Sequence, residues 1–183
     1  MPRPRISVFI AQSLDGYIAT DDDSLDWLTD AAAPGEEYGF DAFLAGIDLV
    51  AMGRSTYDVI SGVQDLPYGN RPVQVFTTRH ADPRAGFEFV ARSPLEAVER
   101  WEGLGIRSVY VDGGSLVSQF LAAGLVDDLT LTVVPVLLGS GKRLFHRITA
   151  QTPLRLVGSE VFPSGIVQLR YATLRSEPPG EPC

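Results

Sequence analysis

Arg54, Ser55 and Thr56 follow Gly53 directly, where an apolar run gives way to helical spacing; Gly113, Gly114 and Ser115 follow a second such run. A strand that breaks at glycine and resumes as a helix turns free backbone N–H groups and the positive end of a helix dipole outward, an arrangement suited to a phosphate. Arg54 adds a charge-assisted contact at the first junction, and Ser115 is a natural N-cap for the helix after the second. One Gly-Gly turn before a helix is ordinary connection geometry, but two such junctions in one sheet suggest a dinucleotide. Thr77, Thr78 and Arg79 place hydroxyls and a cation at the end of a further apolar run.

Carboxylates supply the other candidate chemistry. Glu37 and Asp41 lie four apart and share a face of an amphipathic helix read over 35–46. They are either a solvated flank near the helix's positive end or acids at a pocket mouth, able to bind an amidine-like heterocycle or assist protonation. Trp27 sits in a long polar stretch over 20–34 and either caps the core or walls a pocket. A loop of that length usually has a function. The run Asp21 to Asp23 within it reads as solvated surface.

Composition removes several classes. The 183 residues suffice for one well-buried domain, 45% apolar and 21% charged, as in an ordinary globular protein. A net charge of -8, from 15 Lys and Arg against 23 Asp and Glu, argues against non-specific nucleic-acid binding. Cys183 is the only cysteine, and His80 and His146 are the only histidines, too few for a zinc site; no metal is expected. The apolar run over 6–11 is too short for a signal-peptide core or a membrane span, so a cytoplasmic location is expected. Gly139-Ser-Gly-Lys142 imitates the end of a P-loop, but Val136 stands where the first glycine belongs and Arg143 replaces the magnesium-binding hydroxyl. No G-x-G-x-x-G follows a strand.

The elements that must position these residues alternate. Strands are expected over 6–11, 47–52, 72–77, 87–90 and 109–111, with helices over 57–61, from Pro94 to Trp101 behind an N-cap at Ser93, and after Ser115. Asp15-Gly16 is a turn after the first strand. This pattern predicts a mostly parallel α/β sheet with ligands at the strands' carboxyl ends. Strands over 129–138, 154–162 and 167–174 should add an antiparallel tail, with Pro163-Ser-Gly165 as a hairpin turn and Pro135 marking an edge or a bulge. One domain over 1–175 and a disordered Pro/Gly-rich tail over 176–183 complete the reading.

Four stretches carry a resemblance: Ser13-Leu-Asp-Gly-Tyr-Ile-Ala19, Met52-Gly-Arg-Ser-Thr-Tyr57, Val111-Asp-Gly-Gly-Ser115 and Val133-Val-Pro-Val-Leu-Leu-Gly-Ser-Gly-Lys-Arg-Leu-Phe145. Together they resemble the dihydrofolate reductase-like family, most closely its riboflavin-biosynthesis branch (RibD C-terminal domain-like). The resemblance implies a three-layer fold with an antiparallel C-terminal hairpin, and NADPH lying across the sheet's carboxyl edge. It implies that Ala11 and Ile18 meet the nicotinamide amide and that Gly53, Arg54, Ser55 and Thr56 hold the diphosphate. Thr77, Thr78 and Arg79 would surround the adenosine and its 2′-phosphate, and Gly113, Gly114, Ser115, Leu116 and Val117 would close over the diphosphate.

The implied activity is hydride transfer to a pteridine or ribosylaminopyrimidine-type heterocycle, as in the riboflavin-pathway reductase. Folate-type reduction and a non-catalytic NADPH-binding module are the alternatives. Glu37, with Asp41 beyond it, would be the acid; Asp15, Trp27 and Tyr57 would border the substrate. Relatives of this branch pair into homodimers through the tail strands, a role that Val133 to Leu138 would suit.

Overall fold

Runs of Val, Ile and Leu with almost no charge become the parallel strands at the centre of the sheet, because a strand covered by helices on both faces has no solvent side to alternate toward. The structure, a computed structural model, describes residues 2–62, 66–146, 148 and 151–174; the tail expected over 176–183 lies outside the described residues. Strands β1 (Arg5–Ser13), β3 (Leu49–Gly53), β4 (Val73–Phe76), β5 (Phe87–Val90), β6 (Ser108–Asp112), β7 (Asp128–Val134), β9 (Leu154–Val161) and β10 (Val167–Thr173) form one sheet in the order β5-β4-β3-β6-β1-β7-β10-β9. From β5 to β7 in that order every pairing is parallel, and β10 and β9 are added antiparallel. A separate small ribbon pairs β2 (Tyr17–Ala19) with β8 (Lys142–Arg143).

Strand β7 departs from the expected antiparallel tail. It pairs parallel to β1 over Ser7↔Asp128 to Ser13↔Val134, because helix α5 (Gly114–Ala122) forms a crossover that returns the chain to the sheet's starting end. The strand stops at Val134: it is internal, flanked by β1 and β10, where Pro135 could not supply a ladder N–H. The expected hairpin at Pro163–Gly165 does form, closed by Phe162 N–H to the Ile166 carbonyl at 2.9 Å.

Several helix expectations are corrected. In place of a helix over 35–46 the chain forms only α2 (Phe40–Ala45), because Gly39 adopts a left-handed conformation (φ 77°) just before it. Glu37 therefore lies outside the helix, and the shared face with Asp41 is lost. The stretch over 20–34 contains α1 (Asp26–Ala31). Helix α3 (Arg54–Ile60) starts directly after Gly53 rather than at Tyr57. Helix α5 starts at Gly114, with Gly113 and not Ser115 in the N-cap position and no side-chain cap.

Helices α5 and α4 (Pro94–Gly103) cover one face of the sheet, where Ile6, Val8, Val109 and Val111 meet Trp101, Leu116 and Phe120. Ser93 and Glu96 close a capping box at the start of α4. The other face packs Val50, Met52, Val75 and Tyr110 against Leu44, Tyr68 and the rings of Phe9, Phe40 and Phe43. Trp101 stacks on Phe120 with centroids 5.9 Å apart. Its indole N–H donates to Gln74 Oε1 at 2.8 Å, and Gln74 Nε2 donates to Glu88 at 2.7 Å. The amino-terminal end of β1 is fastened by Arg3 to Asp127 and by Arg5 to Asp128. At the far edge β9 is exposed on both faces, with Leu156, Val157 and Val161 open to solvent.

Gln74→Leu leaves the buried Trp101 N–H without an acceptor, an expected cost of about 1–3 kcal/mol. Urea denaturation with an unchanged slope checks it.

Candidate functional site

The two glycine corners sit side by side. Strands β3 and β6 are neighbours with Met52 opposite Asp112, so the chain leaves the sheet at Gly53 and Gly113 from adjacent positions. Gly113 has φ 88°, and a Cβ there would land on the Thr56 hydroxyl. At Gly114 a Cβ would stand 2.7 Å from the Arg143 carbonyl oxygen and 3.0 Å from that of Leu144. These glycines are required by close approach of backbone to side chain and of backbone to backbone.

A cavity of about 870 Å3 opens along this carboxyl edge, toward the upper end of the range for small-molecule sites. Of the residues expected to hold a cofactor, Ala11, Ile18, Gly53, Arg54, Ser55, Thr56, Thr77, Thr78, Arg79, Gly113, Gly114, Ser115 and Leu116 all line it. Val117 does not; it is wholly buried on the core-facing side of α5. The starts of α3 and α5, brought together by the contact of Gly113 with Thr56, line the cavity with the hydroxyls of Ser55, Thr56 and Ser115 and the Arg54 guanidinium, a set of donors that fits a dinucleotide diphosphate.

The acids and substrate contacts expected from sequence fall elsewhere. Glu37 and Asp41 are exposed, and neither lines the cavity. Asp15 is a turn lock: it accepts from the Ser13 hydroxyl at 2.6 Å and from the N–H groups of Leu138 and Gly139 at 3.1 and 2.7 Å. These bonds, the Ser13 hydroxyl foremost, hold its carboxyl at a pKa of about 2. Trp27 is half-buried on α1, away from the lining. Tyr57 packs edge-on against Phe87 and Phe89 on the second face of the sheet.

Among the described residues two carboxylates line the cavity: Asp23, tied to Lys142, and Asp112, the last residue of β6. Alternation along the strand puts it on the same face as Tyr110. Its Oδ2 accepts from the Tyr68 hydroxyl at 2.9 Å and its Oδ1 from the Gly113 N–H at 2.8 Å. The Tyr110 hydroxyl, which donates to the Phe9 carbonyl at 2.9 Å, interacts with it too. Burial pushes the Asp112 carboxyl above the usual range, and the hydrogen bonds offset only part of that. Burial, helped by the Asp112 charge, likewise raises both tyrosines. In sequence this acid is one letter of an Asp-Gly-Gly turn; strand alternation was the signal that could have separated it from the turn.

Cations gather at the opposite end. Arg54 donates to Asp58 at 2.7 Å and to the His80 carbonyl at 3.1 Å, and Arg79 reaches the same Asp58 at 3.5 Å. On the side of the small ribbon Lys142 pairs with Asp23, while Arg143 donates to the Tyr17 hydroxyl at 2.9 Å and lies over its ring. Among the described residues no group of His, Cys, Asp and Glu could hold a metal ion, and no helix is long and apolar enough to cross a membrane.

A parallel sheet with glycine corners, a cleft along its carboxyl edge and an antiparallel end is the dihydrofolate reductase-like architecture. Dihydrofolate reductase from Enterococcus faecalis, solved with NADP(H), superposes with a TM-score of 0.64 over 92% of this chain and 96% of its own; at 17% identity the likeness is one of fold. Residues 4–168 match the RibD C-terminal domain, and the chain belongs to that family. A crystal structure from Shewanella sp. PV-4, of a protein provisionally named for riboflavin biosynthesis, has a TM-score of 0.86 and 33% identity, covering 93% of this chain and 99% of that one. The uncharacterized protein YwjB of Bacillus subtilis strain 168 is 36% identical over 90% of this chain and 95% of its own. The riboflavin biosynthesis protein RibD of Corynebacterium ammoniagenes is 31% identical over 80% of this chain but only 48% of its own length.

The folded-state pKa of Asp112 stands above its unfolded value. Its ionised form therefore destabilises the fold, increasingly as pH rises from the ordinary carboxylate range through the raised value. Asp112→Asn keeps an acceptor for Tyr68 and removes that cost. The variant should gain stability relative to the parent as pH rises above the ordinary carboxylate range, until the gain levels off; denaturant midpoints measured across the pH series check the trend.

Proposed function

We propose that the protein is an NADPH-dependent reductase that delivers a hydride to a carbon of a C=N or C=O unit in a pteridine or aminopyrimidine-type heterocycle. The observation that carries this reading is the meeting of the two glycine corners beside Thr56, which puts the starts of α3 and α5 into the lining of one cavity together with Asp112, a carboxyl raised above the usual range. Membership of the RibD C-terminal domain family supports it.

When bound, the nicotinamide supplies the hydride. Gly53 to Thr56 and Gly113 to Leu116 grip the diphosphate; Thr77, Thr78 and Arg79, with Arg54, take the adenosine end and its 2′-phosphate. Backbone groups of Ala11 and Ile18 orient the nicotinamide amide. The Asp112 carboxyl, kept protonated into a higher pH range than a solvated aspartate, holds a proton at the heterocycle and replenishes the nitrogen or oxygen next to the reduced carbon. Aromatic walls exclude water from that transfer.

Oxidation of NADPH, followed at the nicotinamide absorbance band with pterins and aminopyrimidines as acceptors, tests the reading. Arg54→Ala should weaken NADPH by about 10–100-fold, the worth of a charge-assisted contact, and NADH far less; equal losses would remove the 2′-phosphate assignment. Asp112→Asn should lower kcat by about 100-fold, while Glu37→Gln and Asp41→Asn leave it unchanged.

Homodimer formation belongs to the same proposal. With β7 internal, the sheet edge that offers apolar surface to a second copy is β9, around Leu156, Val157 and Val161. Sedimentation equilibrium should give twice the 19.8 kDa chain mass, and Val157→Glu should return it to one.

A further inference from the structure

Charge is sorted along the cavity. The end bordered by Phe9, Phe40, Tyr110 and Tyr68 is aromatic, and Asp112 is the acid that opens into it. The rings there form a continuous wall, with Phe9 5.4 Å from Phe40, Phe40 6.0 Å from Tyr110 and Tyr110 6.2 Å from Tyr68.

Among the described residues, every cation lining the cavity is placed or committed elsewhere. Arg92 follows β5, three strands from β6, about 14 Å at ~4.8 Å per strand; Arg79 follows β4, about 10 Å away. Arg54 follows the adjacent β3, but its guanidinium points toward β4, held by Asp58 and the His80 carbonyl. His146 lies on the α5 side, its backbone N–H bonded to Ser118. Lys142 is paired with Asp23, and Arg143, still charged, is held over the Tyr17 ring on the β2–β8 ribbon.

A phosphate ester in the aromatic chamber would bring two negative charges beside the Asp112 carboxyl, where among the described residues no counter-cation stands, and would drive that carboxyl to hold its proton rather than receive an N–H. A flat ring with N–H donors meets the opposite reception: faces to stack on the rings and a carboxyl to receive the N–H groups.

We propose that the substrate is a flat, unphosphorylated heteroaromatic that presents N–H donors to Asp112, so that every phosphate in the ternary complex belongs to the cofactor. This rests on the reductase reading above and sharpens it, setting the chain apart from enzymes that act on phosphoribosyl-linked pyrimidines.

The test is a matched pair of probes: a 2,4-diaminopyrimidine bearing a hydroxypropyl arm, and its phosphate monoester. Calorimetric titration into the full chain saturated with NADPH should give at least tenfold tighter binding for the hydroxyl probe. Equal or tighter binding of the ester overturns the inference while leaving the reductase reading in place, and so does failure of both probes to bind an NADPH-loaded protein. Failure of NADPH itself to bind removes the reductase reading and this inference with it. Asp112→Asn should cost the hydroxyl probe about tenfold in affinity. Phe40→Arg, which adds a cation to the aromatic wall, should close most of the gap between the probes; an unchanged gap would locate the selectivity elsewhere and overturn the assignment.

Discussion

The close approach of Gly113 to Thr56 is the constraint on which the site depends. Strands β3 and β6 are hydrogen-bonded neighbours, and each must turn immediately into a helix packed against the sheet. Two such turns collide unless one lacks a side chain and can adopt a positive φ, and Gly113 does both. Once the corners touch, the starts of α3 and α5 lie together, and the cavity follows from their joint departure from the sheet. Gly114 extends the effect by letting the backbone at Arg143 and Leu144 close in from the side.

Around that contact the molecule keeps its two chemistries apart with the sheet itself. Cations collect where β3 and β4 end, and the protonatable group sits at the end of β6 on the aromatic face. Asp58 holds both Arg54 and Arg79 on one carboxylate, so the guanidiniums are already oriented before an anion arrives. Asp112 is held by Tyr68 and by a backbone N–H, partners that fix its position without making it a solvated acid. Preorganisation of this kind moves the ordering cost from binding to folding.

The sequence made the scaffold legible where a single local rule decided the outcome. Strand β5 lies where it was expected, the capping box at Ser93 starts α4, and the glycine corners stand at the strand ends they were read from. Reading failed where tertiary context competed with the local rule. The helix over 35–46 has the right apolar spacing, but Gly39 in its left-handed conformation cuts it to six residues and frees Glu37 to solvent. Pro135 signalled an edge, whereas β7 is internal and simply ends before it. The acids picked out by helical spacing proved exposed, and Asp112, hidden in a turn motif, turned out to be the one buried among tyrosines. Strand alternation extended one residue past Val111 would have placed that acid on the face of Tyr110; the Asp-Gly-Gly turn motif masked it.

Lys142 is the sole lysine of the sequence, and its ammonium is tied to Asp23, joining the β8 ribbon to the stretch that leads into α1. Acylation of a side-chain amine in this protein thus reports on one place. Since an ammonium must let go of its carboxylate and shed a proton before it reacts, the labelling rate would time how often that strap above the cleft comes undone.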